Sequence, residues 1–155
     1  MSERTDSAGV RVPPPAFYAL AALIGYFLNR RWPLPIGSGA FIQGLAWLLV
    51  GVWLALTVSS IGIFRRSRTS IVPIRPATTL VIAGPYRFTR NPMYVGLASL
   101  TAAVGLFLNS WWPIVLLIPV LLIVRAFVIA PEERYLERRF GADYVTYTQR
   151  VRRWF

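Results

Sequence analysis

The chain has 155 residues, of which 55% are hydrophobic and 15% are charged, and its formal net charge is +11. A soluble domain of this size carries fewer apolar and more charged residues, so the composition predicts a membrane protein. The chain contains no cysteine, histidine or lysine, because all 17 basic residues are arginine. These absences exclude disulfides, thiolate or imidazole metal ligands, a histidine base and a Schiff-base lysine, and we predict no metal site.

Four apolar runs follow a polar N-terminal segment, 1–13, which we expect to be disordered. A membrane-spanning helix needs about 20 consecutive apolar residues, and the runs approach or exceed this length. They lie at about 14–30, 39–63, 92–109 and 112–130. Because the runs occupy most of the chain, the sequence predicts a single membrane domain, 1–155, of the all-α class, with about four transmembrane helices.

The arginines concentrate on one side of the predicted bundle. Most of them lie in the loop 64–91 and in the tail after the fourth run, whereas the link 109–112 has no charge and ends in two tryptophans. The positive-inside rule therefore places the loop, the tail and both termini in the cytoplasm, with Arg30 and Arg31 on the outer side as an exception. We interpret the net charge as a membrane-surface feature and predict no nucleic-acid partner. An arginine-only basic set favours a bacterial source, and hence the inner membrane.

The loop opens directly onto the third apolar run at Asn91 and Pro92. Asparagine suits the N-cap of a helix and proline suits its first turn, so we expect a helix to begin there. Its N-terminal dipole would face the arginine-rich loop, where it favours an anionic group. The run is rich in small residues such as Gly96 and Gly105, which is typical of tight helix packing and also of room for a cofactor or a lipid chain.

The fourth run contains Arg125 near its cytoplasmic end. Arg125 and Glu132 are close to two helical turns apart, so a regular helix would place them on one face. Two interpretations remain open: a side chain that reaches the membrane surface, and an inward arginine that pairs with Glu132 or binds an anionic ligand. Pro131 cannot donate a hydrogen bond to the carbonyl of Phe127, so we expect the helix to kink there.

An amphipathic cytoplasmic helix is predicted after the kink, with a break at Gly141. Its apolar residues recur at helical spacing, as in a helix that anchors a protein to a membrane surface. They are Leu136, Phe140, Tyr144, Tyr147 and Val151. Glu132 and Glu133 open this helix at the membrane boundary, and we interpret them as site residues rather than as solvated charges.

Two motifs in the second half of the chain occur in the same order as in a known superfamily. The first is Gly84-Pro85-Tyr86-Arg87, then Arg90-Asn91-Pro92-Met93-Tyr94 and Gly96. The second is Glu132-Glu133, Phe140-Gly141, Tyr144, Tyr147 and Val151-Arg152-Arg153. Over residues 71–155 the chain resembles the isoprenylcysteine carboxyl methyltransferase and phospholipid methyltransferase superfamily. It departs from the eukaryotic carboxyl methyltransferases at Asn91, where they usually have histidine.

The resemblance implies an S-adenosylmethionine-dependent methyltransferase whose catalytic half is 84–155 and whose substrate is a membrane lipid or a small lipidated molecule. The implied cofactor-binding residues are Gly84, Pro85, Tyr86, Arg87, Arg90, Asn91, Pro92, Tyr94, Gly96, Glu132 and Glu133. The implied catalytic residues are Arg90, Tyr94 and Glu133. The implied substrate-binding residues are Arg125, Tyr135, Arg153 and Trp154. The cofactor is expected on the cytoplasmic side, between the third span, the fourth span and the tail.

The chemistry of the methyl acceptor stays open at this point. A lipid carboxylate, as in isoprenylcysteine carboxyl O-methylation, is already ionised and needs no general base. A phospholipid amine must first lose a proton, to Glu133, Tyr94 or water. Membrane sterol reductases, which use NADPH, share a similar Arg-x-Pro-x-Tyr segment and form a further alternative. A last alternative is a non-enzymatic membrane protein that retains the fold of these enzymes.

Overall fold

The computed structural model describes residues 13–67 and 78–154, and every regular element in this part of the chain is helical. The six α-helices are α1 (Pro14–Arg31), α2 (Ala40–Arg66), α3 (Pro92–Phe107), α4 (Trp112–Val124), α5 (Ala130–Phe140) and α6 (Ala142–Arg150). A 3₁₀ turn (Gly84–Arg87) precedes α3, and a π-turn (Arg125–Ile129) joins α4 to α5. The expected disorder at 1–13 and the middle of the loop 64–91 lie largely outside the described residues.

Helices occur at all four predicted spans, but they differ in length and apolar character. Among the described residues, α2 and the continuous helix Trp112–Phe140 are long and apolar enough to cross a membrane. The apolar helix α3 is shorter, and α1 ends on Arg30 and Arg31. The structure therefore supports a membrane protein with two candidate spans, while membrane crossing by α1 and α3 remains a prediction.

The helices form a bundle in which α3 packs mainly on α2, and α1 packs mainly on α4. The largest core cluster joins α1 to α4 and to the π-turn. Its buried members are Tyr18, Ala21, Leu117, Val120, Val124, Val128 and Ile129. Small residues allow these helices to approach closely, as the sequence predicted for the third run. Gly96 of α3, for example, is buried against Trp53 of α2.

Hydrogen bonds close the bundle at the end opposite the arginine-rich loop. The Asn109 side-chain oxygen accepts from the backbone N–H groups of Ile36 at 3.0 Å and Gly37 at 2.8 Å. Asn109 itself has a φ of +49°, a left-handed conformation that asparagine tolerates better than most residues. The indole N–H of Trp112 donates to the Trp32 carbonyl at 2.7 Å. The α3–α4 turn is thus fixed to the α1–α2 connection.

The π-turn between α4 and α5 changes which residues share a helix face. The Ala130 N–H donates to the Arg125 carbonyl, an i→i−5 bond that adds one residue to the turn just before Pro131. Since each residue of a helix turns the chain by about 100°, one added residue rotates all the following side chains about the helix axis by that angle. The prediction that Arg125 and Glu132 share a face is therefore wrong: Arg125 is exposed, and Glu132 points towards Tyr94 of α3.

The C-terminal helices fold back on the loop instead of presenting their apolar face to lipid. The predicted break occurs at Gly141, which has a φ of +53° and ends α5. Tyr144, Tyr147 and Val151 are buried in a second cluster against Leu80 and two residues of α5, Leu136 and Phe140. The amphipathic pattern thus builds a small protein core around the arginine-rich segment, and the surface-anchor interpretation is wrong for this face.

The contact between α1 and α4 depends on Gly25. A methyl group added there would lie 2.8 Å from ring and backbone atoms of Pro113. We expect Gly25→Ala to force the helices apart and to lower the free energy of unfolding by about 1–3 kcal/mol. Thermal unfolding in detergent measures this change. Gly51→Ala is the matched control, because nothing lies within 4 Å of its added methyl. If the two variants had the same midpoint of thermal unfolding, the close contact of α1 with α4 at Gly25 would be contradicted.

Candidate active site

Glu133 lies at the centre of a cluster of charged side chains. Its Oε1 atom is 3.0 Å from Nη1 of Arg90. Arg153 makes a two-pronged contact, donating from Nη2 to Oε2 at 2.7 Å and from Nε to Oε1 at 3.0 Å. The side chains of Arg90 and Glu133 are only 15% and 17% exposed, and that of Arg153 is 33% exposed. Charge-assisted pairs so sheltered from water are stronger than ordinary surface pairs.

Backbone contacts hold the C-terminal segment against the start of α3. The Arg90 N–H donates to the Arg152 carbonyl at 3.0 Å. The Arg153 carbonyl accepts from the Asn91 amide at 2.9 Å and from the Thr89 hydroxyl at 3.2 Å. Asn91 does occupy the predicted N-cap position, but its side chain makes no capping bond because it binds the C-terminal segment instead. The two sequence motifs are therefore joined through main chain as well as through charges.

A second acidic residue faces the bundle interior. The Tyr94 hydroxyl donates to Oε2 of Glu132 at 3.1 Å, which links α3 to α5. The Tyr147 hydroxyl donates to the carbonyl of Tyr86 at 2.7 Å and fixes the 3₁₀ turn to α6. The Tyr86 ring meets Phe64 of α2 edge-on, with centroids 5.6 Å apart. The two adjacent carboxylates thus have different surroundings, charged for Glu133 and aromatic for Glu132.

For the ionisable side chains outside the membrane helices, burial and neighbouring charged groups shift the pKa values. Hydrogen bonding to Glu133 raises the pKa of the Arg153 guanidinium. Burial raises the pKa of Tyr144 to about 12, the neighbouring Glu133 acts in the same direction, and Arg90 opposes them. Burial likewise raises the pKa of Tyr86 above its ordinary value. Tyr86 and Tyr144 are therefore neutral hydrogen-bonding groups near pH 7.

The structure brings six of the fifteen sequence-predicted site residues together in one place. These are Arg90, Asn91, Tyr94, Glu132, Glu133 and Arg153. Gly84, Pro85 and Tyr86 form the adjoining 3₁₀ turn, and Pro92 is buried at the start of α3. Gly84 has a φ of +58°, a left-handed conformation that favours glycine, and a methyl group added there would meet the end of the Ile63 side chain.

Arg87 and the remaining predicted substrate-binding residues differ in their surroundings. Arg87 and Arg125 are exposed, and neither forms an ion pair within the described ranges. Tyr135 is buried in α5. Trp154 packs against the core cluster of α1 and α4. The predicted roles of these four side chains in ligand binding therefore stay predictions.

Several polar residues near the cluster were not predicted as site residues. Thr89 holds the C-terminal segment, and Tyr144 lies beside Arg90 and Glu133. Tyr144 belongs to the second motif, but its helical spacing favoured an interpretation as amphipathic pattern. Tyr18 and Ser60 are buried polar residues within apolar helices, a signal that commonly marks functional positions. In residues 13–67 and 78–154, no group of three or more acidic side chains is placed to hold a metal ion.

The Glu133 cluster makes a testable contribution to stability. We expect Glu133→Gln to lower the free energy of unfolding by about 1–3 kcal/mol, because it leaves the sheltered Arg90 without its counter-charge. Chemical or thermal unfolding in detergent measures the loss. Arg150→Gln is the control, since Arg150 is an exposed arginine close by in the chain. A double-mutant cycle of Glu133→Gln with Arg153→Gln should show coupling, and strictly additive effects would contradict the contact.

Comparison with known proteins agrees with this arrangement. The sequence profile of phospholipid methyltransferases matches residues 40–143, which include α2, α3, the Glu132–Glu133 pair and the start of α6. An uncharacterized protein of Haemophilus influenzae is 40% identical over 65 residues, a stretch that covers 40% of this chain and 98% of that protein. No solved structure matches the chain. The profile covers well over half of the sequence, and the chain therefore belongs to the phospholipid methyltransferase family, within the superfamily that also contains the isoprenylcysteine carboxyl methyltransferases.

Proposed function

We propose that this protein is an S-adenosylmethionine-dependent methyltransferase that acts on a lipid-like acceptor at the cytoplasmic face of a bacterial inner membrane. Membership of a family of membrane methyltransferases supports the reaction type. The observation that carries the proposal is the Glu133 cluster. Arg90 comes from the first motif, Glu133 and Arg153 come from the two ends of the second motif, and the three side chains meet at one end of the bundle.

The residues present suit the chemical groups of S-adenosylmethionine. Its carboxylate needs a cationic partner, and the Nε atom of Arg90 is buried without a hydrogen-bond partner. Its amine and ribose hydroxyls need acceptors, which Glu132 and Glu133 supply. Its adenine needs an aromatic or apolar wall, for which Tyr86 is placed in the adjoining turn. When bound, the cofactor would supply a methyl group on a sulfonium: an in-line nucleophile bonds to the methyl carbon as the carbon–sulfur bond breaks, and S-adenosylhomocysteine leaves.

The role of the protein in this reaction is to bind, to orient and to exclude water. Arg90 and Glu133 would bind the cofactor end that bears opposite charges, and Arg153 holds the Glu133 side chain in position. Holding two reactants in a productive geometry lowers a barrier by about 7–11 kcal/mol. A site without histidine, cysteine or lysine achieves such catalysis by position alone.

A lipid carboxylate is the first candidate acceptor, by analogy with isoprenylcysteine carboxyl O-methylation. A carboxylate is ionised at neutral pH, so the reaction requires no proton transfer. This agrees with the difference at Asn91, which donates its amide to the Arg153 carbonyl and cannot act as a base. For a bacterial enzyme the acceptor would be a small lipid rather than a prenylated protein.

A phospholipid amine is the second candidate, and one observation favours it. Glu132 is a sheltered carboxylate that accepts only the Tyr94 hydroxyl among the hydrogen bonds of the described residues. A carboxylate in that position has the remaining capacity to hold an ammonium head group and to accept its proton. The match to phospholipid methyltransferases supports the same acceptor.

Calorimetric titration and a labelled transfer assay test the proposal together. The detergent-purified protein is titrated with S-adenosylhomocysteine and, in parallel, with NADPH. We expect micromolar binding of S-adenosylhomocysteine and no binding of NADPH. If NADPH alone binds, the protein is a reductase and not a methyltransferase. If neither compound binds, the site is not used for catalysis. Methyl-labelled S-adenosylmethionine is then offered with a lipid carboxylate or with phosphatidylethanolamine. Alkali releases the label from a methyl ester as methanol and leaves an N-methyl group intact.

Two arginines in different surroundings provide a sharp test of the cofactor site. We expect Arg90→Ala to weaken S-adenosylhomocysteine binding by about 30-fold or more, since it removes a charged partner in a sheltered position. Glu133→Ala should abolish binding in the same titration. Arg134→Ala is the control, because Arg134 is exposed and follows Glu133 directly in the chain. Near-wild-type binding by Arg90→Ala, or loss of binding only in Arg134→Ala, would overturn the assignment.

A further inference from the structure

Two large apolar side chains around the 3₁₀ turn are exposed, although hydrogen bonds fix the backbone of this segment. Phe88 is 78% exposed and Ile82 is 52% exposed. Between and beside them, the Tyr86 carbonyl accepts a hydroxyl of α6, and the Thr89 hydroxyl donates to a carbonyl of the C-terminal segment. The backbone contacts therefore hold Phe88 and Ile82 on the outside, and exposed apolar groups that share one segment indicate a contact surface.

The 3₁₀ turn lies beside the last apolar residues of α2. The Tyr86 ring meets that of Phe64 edge-on, with centroids 5.6 Å apart, and a methyl group added to Gly84 would meet Ile63. Ile63 and Phe64 directly precede the two arginines that end α2, a helix long and apolar enough to cross a membrane. A spanning helix leaves the hydrocarbon where apolar residues give way to arginines, so the turn lies at the level of the lipid head groups.

The charge around these apolar side chains is entirely positive. The sequence of residues 64–91 contains six arginines and no acidic residue. Arg65, Arg66 and Arg87 are exposed, whereas the acidic residues in the described part of the chain all belong to α5 and α6. Basic residues at the end of a spanning helix are attracted to a leaflet that contains anionic lipids. Exposed apolar groups among arginines therefore match an anionic lipid surface in both charge and polarity.

We propose that residues 82–88 form a membrane-surface contact: Ile82 and Phe88 enter the head-group region of the cytoplasmic leaflet, and Arg87, with the arginines at the end of α2, binds anionic phospholipid head groups. The inference does not depend on the proposed function. It gives exposed Arg87 a role outside the Glu133 cluster. It also sets the depth of the candidate active site, because Arg90 and Asn91 follow this segment directly in the chain.

Fluorescence quenching at a single engineered cysteine tests this contact, because the chain has no cysteine of its own. The full-length Phe88→Cys variant is labelled with bimane and reconstituted into phosphatidylcholine nanodiscs. The nanodiscs contain an equal mole fraction of either doxyl-labelled phosphatidylglycerol or doxyl-labelled phosphatidylcholine. We expect both lipids to quench the label, and the phosphatidylglycerol to quench it about twice as strongly because its head group is anionic. Acrylamide, a neutral quencher in the water, should have little effect.

Matched variants separate the lipid contact from general effects. Ile82→Cys is a second labelling position and should behave like Phe88→Cys. Gln149→Cys labels an exposed position of α6, where acrylamide should quench and neither lipid should. In the Phe88→Cys protein, Arg87→Gln should reduce the excess quenching by phosphatidylglycerol to about half. Arg139→Gln removes the same charge from an exposed position of α5 and should leave that excess unchanged.

Three results would overturn the inference. The first is a label at position 88 that acrylamide quenches and the lipids do not, which would place the segment in water. The second is equal quenching by the two lipids, which would remove the preference for anionic head groups. The third is oxidative cross-linking of two unlabelled Phe88→Cys chains in nanodiscs, which would make this surface an interface between copies. A wild-type midpoint of thermal unfolding in detergent shows that each labelled variant is folded.

Discussion

The arrangement of the polar end of the bundle depends on the carboxylate of Glu133. Both of its oxygens are used, one by Arg90 and Arg153 together and the other by Arg153 alone. These contacts join the start of α3, the start of α5 and the C-terminal segment, which are distant in sequence. Because Glu132 is the preceding residue, the same contacts set the position of its carboxylate opposite Tyr94.

A charged cluster at this place is tolerable because it lies where the apolar helices end. Burying an ion pair costs desolvation energy that its attraction often fails to repay. Here the cost is reduced by partial exposure, which reaches 33% for Arg153, and by backbone contacts that orient the charged groups in advance. The Glu133 cluster combines two guanidinium groups with one carboxylate. A zwitterionic ligand therefore finds a partner there for each of its charges, in keeping with the proposed cofactor.

The sequence predicted the features that depend on local chemistry. The start of α3 at Pro92 and the end of α5 at Gly141 follow from the backbone preferences of proline and glycine. The meeting of Arg90 with Glu133 was implied by resemblance, and spacing alone could not show it. The π-turn escaped prediction because its extra residue depends on how α4 and α5 pack, not on any residue preference. For that reason Arg125 and Glu132 were predicted to share a helix face that the π-turn separates.

The first two helices are the part of the chain about which sequence patterns say least. In the sequence they are apolar runs, and Tyr18 and Ser60 are two polar residues among many apolar neighbours. Their burial distinguishes them from Tyr26, which is exposed, and from Ser59, whose hydroxyl donates to the Ala55 carbonyl. A buried hydroxyl in an apolar setting is costly when its hydrogen bond is unmet. Because burial depends on how α1 and α2 pack on α3 and α4, the sequence of the two helices could not predict which of their hydroxyls lie inside the bundle.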